Sequence, residues 1–588
     1  MGATYSDDHG VTSVLTYCDG VQVPNPFNTA TVANGWHNFS AKAWDTAGQS
    51  TMSANNNVYV NNVSSCTYAL SAAGANPGYG AENGSVYVTE TGSCAWTTSS
   101  SDASWLTCSA GGTGSAWVNW SVTANPSTSS RTATLTIAGQ TFTVTQAGAP
   151  PLTSTPGEPQ WVRDMVCPGY MTVKALATDH LNNSVVAGSF NFSANFGAGS
   201  VPSVGYDGFI AKYTPQNTLA WAIRIGGGAD DVAYAVAIDS RDNIIVSGFF
   251  GGTVDFGGTT LTATPNPFMP STDIFVAKYS PAGTLVWAKN FGGDMYDMGT
   301  AVGIDTHDGS DNVILAASFQ STANFGGVSL TCNGGKDMAL VKLSAATGGT
   351  IWAKGRGSSA DETPNGLAVD RWGDVVVTGQ ATGATDLGGG LGSNKGVFVA
   401  KYSGATGNYQ WGRAMGTDGN DAGYGVATHP TTGNIVVTGK SSGTANFGGG
   451  TVGAGIFLAA LDASGNSQWV KTFGSSSSDI GYAVSIDATT GNIALTGQVT
   501  SMVDFGGGWL FSNGNWNYFV ASYSSSGTYQ WAKRAGLGSA GASSGSGIAF
   551  DSNGHLLAAG FYNSTVDLGG ILTTSLGFQD GFVVQYTK

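Results

Sequence analysis

The sequence predicts an all-β chain: two small β-sandwich modules followed by a seven-bladed β-propeller. Three markers carry the propeller, each present seven times in the same cyclic order. The first is a tryptophan after a short polar turn, at Trp161, Trp221, Trp287, Trp352, Trp411, Trp469 and Trp531. The second is Asn/Asp-Phe/Leu-Gly, beginning at Asn195, Asp255, Asn324, Asp386, Asn446, Asp504 and Asp567. The third is FVAKY-like and ends at Tyr213, Tyr279, Leu343, Tyr402, Leu461, Tyr523 and Tyr586. Such a unit, about sixty residues long, cannot bury its apolar faces alone and must stack on copies of itself.

Composition supports strands over helices and binding surfaces over nucleic-acid contacts. Only 10% of the 588 residues are charged, while 89 are glycine and 41% are hydrophobic. Short apolar runs punctuated by Gly and Asn are the pattern of strands joined by turns. A net charge of −15 excludes the basic footprint that nucleic acid or an anionic membrane selects. No apolar run approaches the roughly 18 residues that span a bilayer. Low charge with much Gly, Ser, Thr and Asn points to an extracellular or cell-surface location.

Residues 1–63 read as the first module. Val11 to Val23 contains Asp19-Gly20, a hairpin signal. Asn34-Gly35-Trp36-His37 then leads into FSAKAWDTAG and a last strand ending near Val60. With Tyr17-Cys18-Asp19-Gly20 and Ala43 to Gly48, this resembles bacterial immunoglobulin-like domains, although the strand that family carries before the position of Ala3 is missing. Either the domain is truncated here or an open edge awaits a strand from another copy, so self-association through this module is one expectation.

Residues 64–148 form the second module. Cys66-Thr67-Tyr68, Cys94-Ala95-Trp96, Ser104-Trp105-Leu106, RTATLTIAG and TVTQ together resemble the BACON domain. That resemblance implies an immunoglobulin-like sandwich and a sugar- or mucin-binding role. Cys66 and Cys94 are expected to form a disulfide, while Cys18, Cys108, Cys167 and Cys332 read as small buried hydrophobes. Residues 149–158, with Ala149-Pro150-Pro151, read as a short stiff linker.

The repeats occupy residues 159–588. In the second unit the expected strands are Tyr234 to Asp239, Asn243 to Phe250, Ile274 to Tyr279 and Leu285 to Phe291. The AVAID, NIIVSG and DFGG segments resemble the SBBP-type bacterial propeller repeat. The first repeat enters at its fourth strand and the last leaves after its third. Residues 159–165 are therefore expected to complete the sheet of residues 545–586, closing the ring with both ends in one blade.

Candidate binding residues fall in two places. In Trp117-Val118-Asn119-Trp120-Ser121-Val122, alternation turns Val118, Trp120 and Val122 inward and Trp117 and Asn119 outward. A flat indole beside an amide suits a sugar. In the repeats, the long connections between second and third strands emerge on one face, where Trp509, Trp516 and Tyr518 cluster with Asn513, Asn515 and Asn517. Asp231, Asp297, Glu362, Asp421 and Asp479 precede successive first strands, and Met171 and Ser543 take the matching positions in the first and last units. They would form an acidic arc around a channel mouth with one neutral gap, or accept backbone N–H groups in their own loops.

Calcium is the one cofactor those acids could hold. It normally takes six to eight oxygens and no dense Asp-x-Asp-x-Asp-Gly loop occurs, so no metal or other cofactor is expected. There is no Gly-x-Ser-x-Gly elbow, His-Glu-x-x-His helix or phosphate loop. His180, His307, His429 and His555 recur near turns between first and second strands. The sequence thus points to an extracellular, non-enzymatic binding or adhesion protein recognising glycans or other cell-surface material. The alternatives are an appendage or envelope subunit assembled by strand pairing, and a propeller glycoside-processing enzyme.

Overall fold

The computed structural model describes residues 11–61, 66–79, 81–92, 94–125, 127, 129–148, 156–390, 395–416, 420–500, 502–511, 515–535, 541–568 and 571–588. The chain divides into two compact units, Met1–Pro151 and Leu152–Lys588. Among the described residues the secondary structure is strand apart from one short 3₁₀ turn, Thr29–Thr31. Residues 1–10, 149–155 and Asn513 lie outside the described set.

Two sub-regions make up the first unit. Val21–Val23, Val11–Cys18, Gly35–Asp45 and Ser50–Met52 lie in that order in one antiparallel sheet, and Asn56–Val60 also pairs with Gly35–Asp45. The sandwich piece expected here is thus a single five-stranded sheet among the described residues, because both later strands join Gly35–Asp45 rather than forming a second layer. The Asp19-Gly20 turn has φ of 52° and 80°, the left-handed pair a tight hairpin requires. Asp19 also accepts from the Asn38 backbone and pairs with His37 Nδ1 at 2.5 Å, so two of the recognised sequence motifs brace each other.

The second sub-region has two four-stranded sheets. One orders Thr98–Ser100, Arg131–Ile137, Gln140–Gln146 and Gly74–Ala75; the other orders Leu106–Cys108, Ala116–Val122, Glu82–Thr91 and Thr67–Leu70. Val118, Trp120 and Val122 join Trp96, Trp105, Leu135 and Phe142 in its core. Cys66 and Cys94 are disulfide-bonded with Cα atoms 6.2 Å apart. Cys18 and Cys167 are free and buried, while Cys108 and Cys332 are free and only partly buried.

Among its described residues the second unit contains seven four-stranded antiparallel sheets. The second sheet shows the pattern, with Val232–Ile238, Ile244–Phe250, Asp273–Tyr279 and Leu285–Phe291 in order. The seventh orders Pro159–Met165, Asp580–Tyr586, Leu556–Tyr562 and Ser543–Phe550, so segments from opposite ends of the unit share it. First strands of successive sheets contact each other, and Ser543–Phe550 contacts Met171–Thr178, which makes the sequence of contacts a closed cycle.

Two recurring interactions explain the sequence markers. Within a sheet, the tyrosine ending the third strand donates to the carbonyl after the Asn/Asp of the second marker: Tyr213 to Phe196, Tyr279 to Phe256, Tyr402 to Leu387 and Tyr523 to Phe505, at 2.7–3.1 Å. The preceding acid or amide folds the turn, as Asp255 does by accepting from Gly257 and Gly258. Small hairpins such as Thr253–Asp255 with Thr260–Thr262 form there. Strands this short carry no alternation pattern, and the sequence read these stretches as irregular loops.

Between sheets, Trp221, Trp287, Trp352 and Trp411 donate through Nε1 to Pro281, Ala345, Gly404 and Ala463, carbonyls in the next unit's turn, at 3.1–3.3 Å. Lys212, Lys278 and Lys342 reach the first three of those carbonyls as well. Each of these lysines also pairs with the aspartate after or at the end of its own first strand, at 2.7–2.8 Å to Asp179, Asp239 and Asp305. Lys401 pairs likewise with Asp370 at 2.6 Å. Burial alone would raise the Asp239 pKa, but the Lys278 ammonium and the Asn243 side chain and backbone outweigh it and hold the carboxyl below its ordinary range. Basic residues on the outer strands also join neighbours: Arg163 donates to Asn217 and Arg413 to Gly465, and Lys533 pairs with Glu158.

Removing one member of a buried ion pair costs about 3–5 kcal/mol because the other is left uncompensated. Lys278→Ala should therefore lower the denaturant midpoint sharply. In the fifth unit His429 and Ala460 occupy the two positions, so Lys278→Ala with Asp239→His should recover part of the loss. A double variant no more stable than the single one would show that the pair is not what holds this junction.

Candidate functional site

Each first strand carries a β-bulge, and the bulges build the central site. Pairing skips one residue between Val173 and Ala175, Ala233 and Ala235, Gly299 and Ala301, Pro364 and Gly366, Gly423 and Gly425, Gly481 and Ala483, and Gly545 and Gly547. The skipped residues are Lys174, Tyr234, Thr300, Asn365, Tyr424, Tyr482 and Ser546. A bulge re-aims the extra side chain, and all seven line one cavity of about 580 Å³. The facing second strand accommodates the bulge with glycine in six units. A Cβ at Gly248 would lie 1.9 Å from the Val232 carbonyl oxygen, and one at Gly497 equally close to that of Ile480. The third unit has Ala317 opposite its bulge.

The cavity is cationic and aromatic. Its described lining adds Lys440, Gln498 and Trp516 to the ring and includes no Asp or Glu. Lys174 Nζ lies 5.4 Å from the Tyr234 ring centroid, and Tyr424 and Tyr482 pack with centroids 5.2 Å apart. Among the described residues neither Lys174 nor Lys440 makes a hydrogen bond or ion pair. Burial lowers the Lys174 pKa. Neither the lysines nor the ring was singled out from the sequence, yet a signal was there: in five of the seven repeats a varied residue stands between two Gly or Ala residues at the same position.

Of the two roles open to the five acids, the structure shows acceptance of backbone N–H groups rather than an arc at this mouth. Asp231, Asp297, Glu362, Asp421 and Asp479 are all fully buried. Each ties the loop entering its unit to the chain leaving the second strand. Asp231 accepts from Gly227 and Gly251, Asp297 from Gly293 and Gln320, and Asp479 from Ser475, Ser476 and Thr500. Glu362 accepts from Ser358 and Thr385, and Asp421 from Ser442. A carboxylate close to several unpaired backbone N–H groups satisfies them instead of facing solvent. Desolvation pushes the Asp231 pKa up to about 7 and that of Asp297 to about 6, outweighing the backbone donors that oppose it.

The aromatic cluster is also split. Trp509 and Trp516 are exposed, and only Trp516 reaches the cavity. Tyr518 is not a surface residue: it is wholly buried in Asn517–Tyr523, its hydroxyl 3.0 Å from that of Tyr586. The strand begins one residue before it, and every position of that strand is enclosed by neighbouring sheets. Asn517 is buried too. The histidines serve turns: His180 Nδ1 meets Asp242 of the next unit at 2.8 Å and His307 Nδ1 meets the Arg371 carbonyl at 3.1 Å.

In the first unit, Trp117 is 61% exposed and directly opposite Tyr87, their ring centroids 5.0 Å apart. Asn119 faces Ser85, and Ser121 faces Asn83, on the same side of the sheet. Thr107 continues this polar row through a 2.7 Å contact with Ser121. A shallow groove of about 440 Å³ runs along it. The outward Trp117 and Asn119 follow the alternation read from the sequence. Among the described residues, Cys18, Asp19 and His37 come together, as do Cys66, Glu90 and Cys94. The second group is consumed by the disulfide.

Residues 95–147 match the BACON family. Its description is "Putative binding domain, N-terminal", and the matched BACON segment contains Trp117 and Asn119. The chain is also 26% identical over 167 residues to an uncharacterized WD repeat-containing protein, L264, of Acanthamoeba polyphaga mimivirus. That match covers 25% of this chain and 12% of the relative, so the chain spans a small part of that protein's length. A Bacteroides ovatus GH5 xyloglucanase in complex with a XXXG heptasaccharide is 21% identical over 20% of this chain and 29% of its own, with a TM-score of 0.13. A structural genomics protein of unknown function from Bacteroides thetaiotaomicron covers 89% of this chain and 99% of its own at 9% identity and a TM-score of 0.27. Likenesses this loose add nothing to fold or activity. No helix among the described residues is long and apolar enough to cross a membrane.

The raised carboxyls have a definite pH signature. A folded-state pKa above the ordinary 3.8 means that Asp231 contributes its full share of stability below that value and loses it as pH rises through about 7. Urea midpoints of wild type and Asp231→Asn should therefore converge or cross between pH 4 and pH 8, the wild type falling relative to the variant. A difference independent of pH would refute the raised value.

Proposed function

We propose that the chain is an extracellular, non-enzymatic binding protein that attaches to glycans through the exposed face around Trp117. The observation that carries this is the Trp117–Tyr87 pair beside the outward row of Asn119, Ser85, Asn83 and Ser121. An exposed indole stacks on the apolar C–H face of a sugar, while neighbouring amides and hydroxyls bond its hydroxyl groups. The BACON match supports a binding role for this segment. The second unit reads best as a seven-bladed propeller, a rigid platform of stacked sheets. Seven four-stranded sheets, the cycle of first-strand contacts and the shared seventh sheet support that reading.

Trp117 is outside the core, so its replacement leaves folding intact and isolates recognition. On a glycan array the full chain should retain a defined group of neutral or mucin-type glycans, and Trp117→Ala should weaken that binding by about tenfold or more. Melting temperatures of the two should agree. Absence of binding on the array, or equal binding by the variant, would remove the proposal.

A further inference from the structure

The central cavity of the second unit poses a separate chemical question. It holds two lysines whose charges no described carboxylate balances, inside a protein of net charge −15. A charge drawn away from water without a partner is costly. Elsewhere in this unit buried cations are paired: Lys212, Lys278, Lys342 and Lys401 each meet an aspartate. Lys174 departs from that rule, although the same elements supply carboxylates freely.

We infer that the cavity binds an anionic saccharide, a uronate or a sulfated sugar, with Lys174 and Lys440 receiving the negative group and the tyrosines receiving the ring. Several observations converge on this class. The space, about 580 Å³, suits one to a few sugar residues and is far larger than an inorganic anion needs. Tyr234, Tyr424, Tyr482 and Trp516 provide flat apolar surfaces of the kind on which sugar rings stack. Asn365 spends its Nδ2 on the Gly423 carbonyl and makes no other described bond, which leaves its oxygen as an acceptor for a hydroxyl group. On the opposite side of the ring order Ser544 adds a hydroxyl, and Ser546, whose O–H goes to the Val173 carbonyl, adds an acceptor oxygen. The ring residues differ from unit to unit while the bulges that aim them do not, so a sevenfold frame presents an asymmetric surface.

This site lies in a different compact unit from the Trp117 face, so the two can fail separately. Isothermal titration of the full chain with trigalacturonate, a heparin-derived disaccharide and neutral cellotriose tests it. One charged probe should bind, and cellotriose should not; which charged probe binds distinguishes carboxylate from sulfate. Lys174→Met should weaken binding at least about tenfold, as expected for a lost charge-assisted contact. Lys440→Gln should weaken it as well. The melting temperature of Lys174→Met should not fall, since no partner is orphaned, and Trp117→Ala should bind the charged probe normally. Failure of both charged probes at millimolar concentration, equal binding of cellotriose, undiminished binding by Lys174→Met, or loss of binding in Trp117→Ala would each overturn the inference.

Discussion

Three junctions of the second unit each turn on one carbonyl oxygen. In the turn between third and fourth strands, Pro281, Ala345 and Gly404 each present an oxygen that receives both an indole N–H and an ammonium from the preceding sheet. The ammonium is in turn fixed by its own aspartate, so strand and turn positions in two sheets are settled by one cluster. Glycine follows two or three residues later with positive φ, as at Gly283, Gly348 and Gly407, and the indole lies against it where a Cβ would sit. Trp, Lys, Asp and Gly recur together because they meet at one place. Such neighbour-to-neighbour coupling is how repeat architectures acquire stability that a lone unit lacks.

Because the junctions fix the frame, the cavity side chains are free to vary. The bulge fixes where a side chain points, and small flanking residues with a facing glycine allow the backbones to approach closely. What the chain places at the bulge then determines chemistry: one lysine, three tyrosines and three small polar residues, interspersed around the ring. Frame and contents are thus separable, much as loops are separable from a scaffold in other folds.

The strands, the sheet order and the sharing of the last sheet were legible in the sequence because they follow from periodicity and from the phase at which the repeats begin and end. Outward Trp117 and inward Trp120 were legible for the same reason. The small hairpins were not, since two- or three-residue strands have no period to detect. Asp231 and its counterparts were left between a solvent-facing arc and capture by backbone N–H groups, because spacing reports which loop an acid occupies and not which way it turns; the structure shows the capture. Tyr518 was misread through its loop-like neighbours, although it already belongs to a fully buried strand. The Lys–Asp pairs were hidden because lysine in FVAKY looks like a solvent-facing residue until the neighbouring sheet is added.

The seventh sheet has an implication for biosynthesis. Glu158 bonds Thr587 across a separation of 429 residues, and Pro159–Met165 pairs along Asp580–Tyr586. A ribosome releases the earlier segment long before its partner exists, so the nascent polypeptide carries an unsatisfied strand while all the intervening residues are made. Six sheets can assemble in order as they emerge, but the last requires capture of that waiting segment. Proteolysis or premature termination near the final strand would therefore expose two sticky edges at once, and quality control would see an open chain rather than a slightly shortened one.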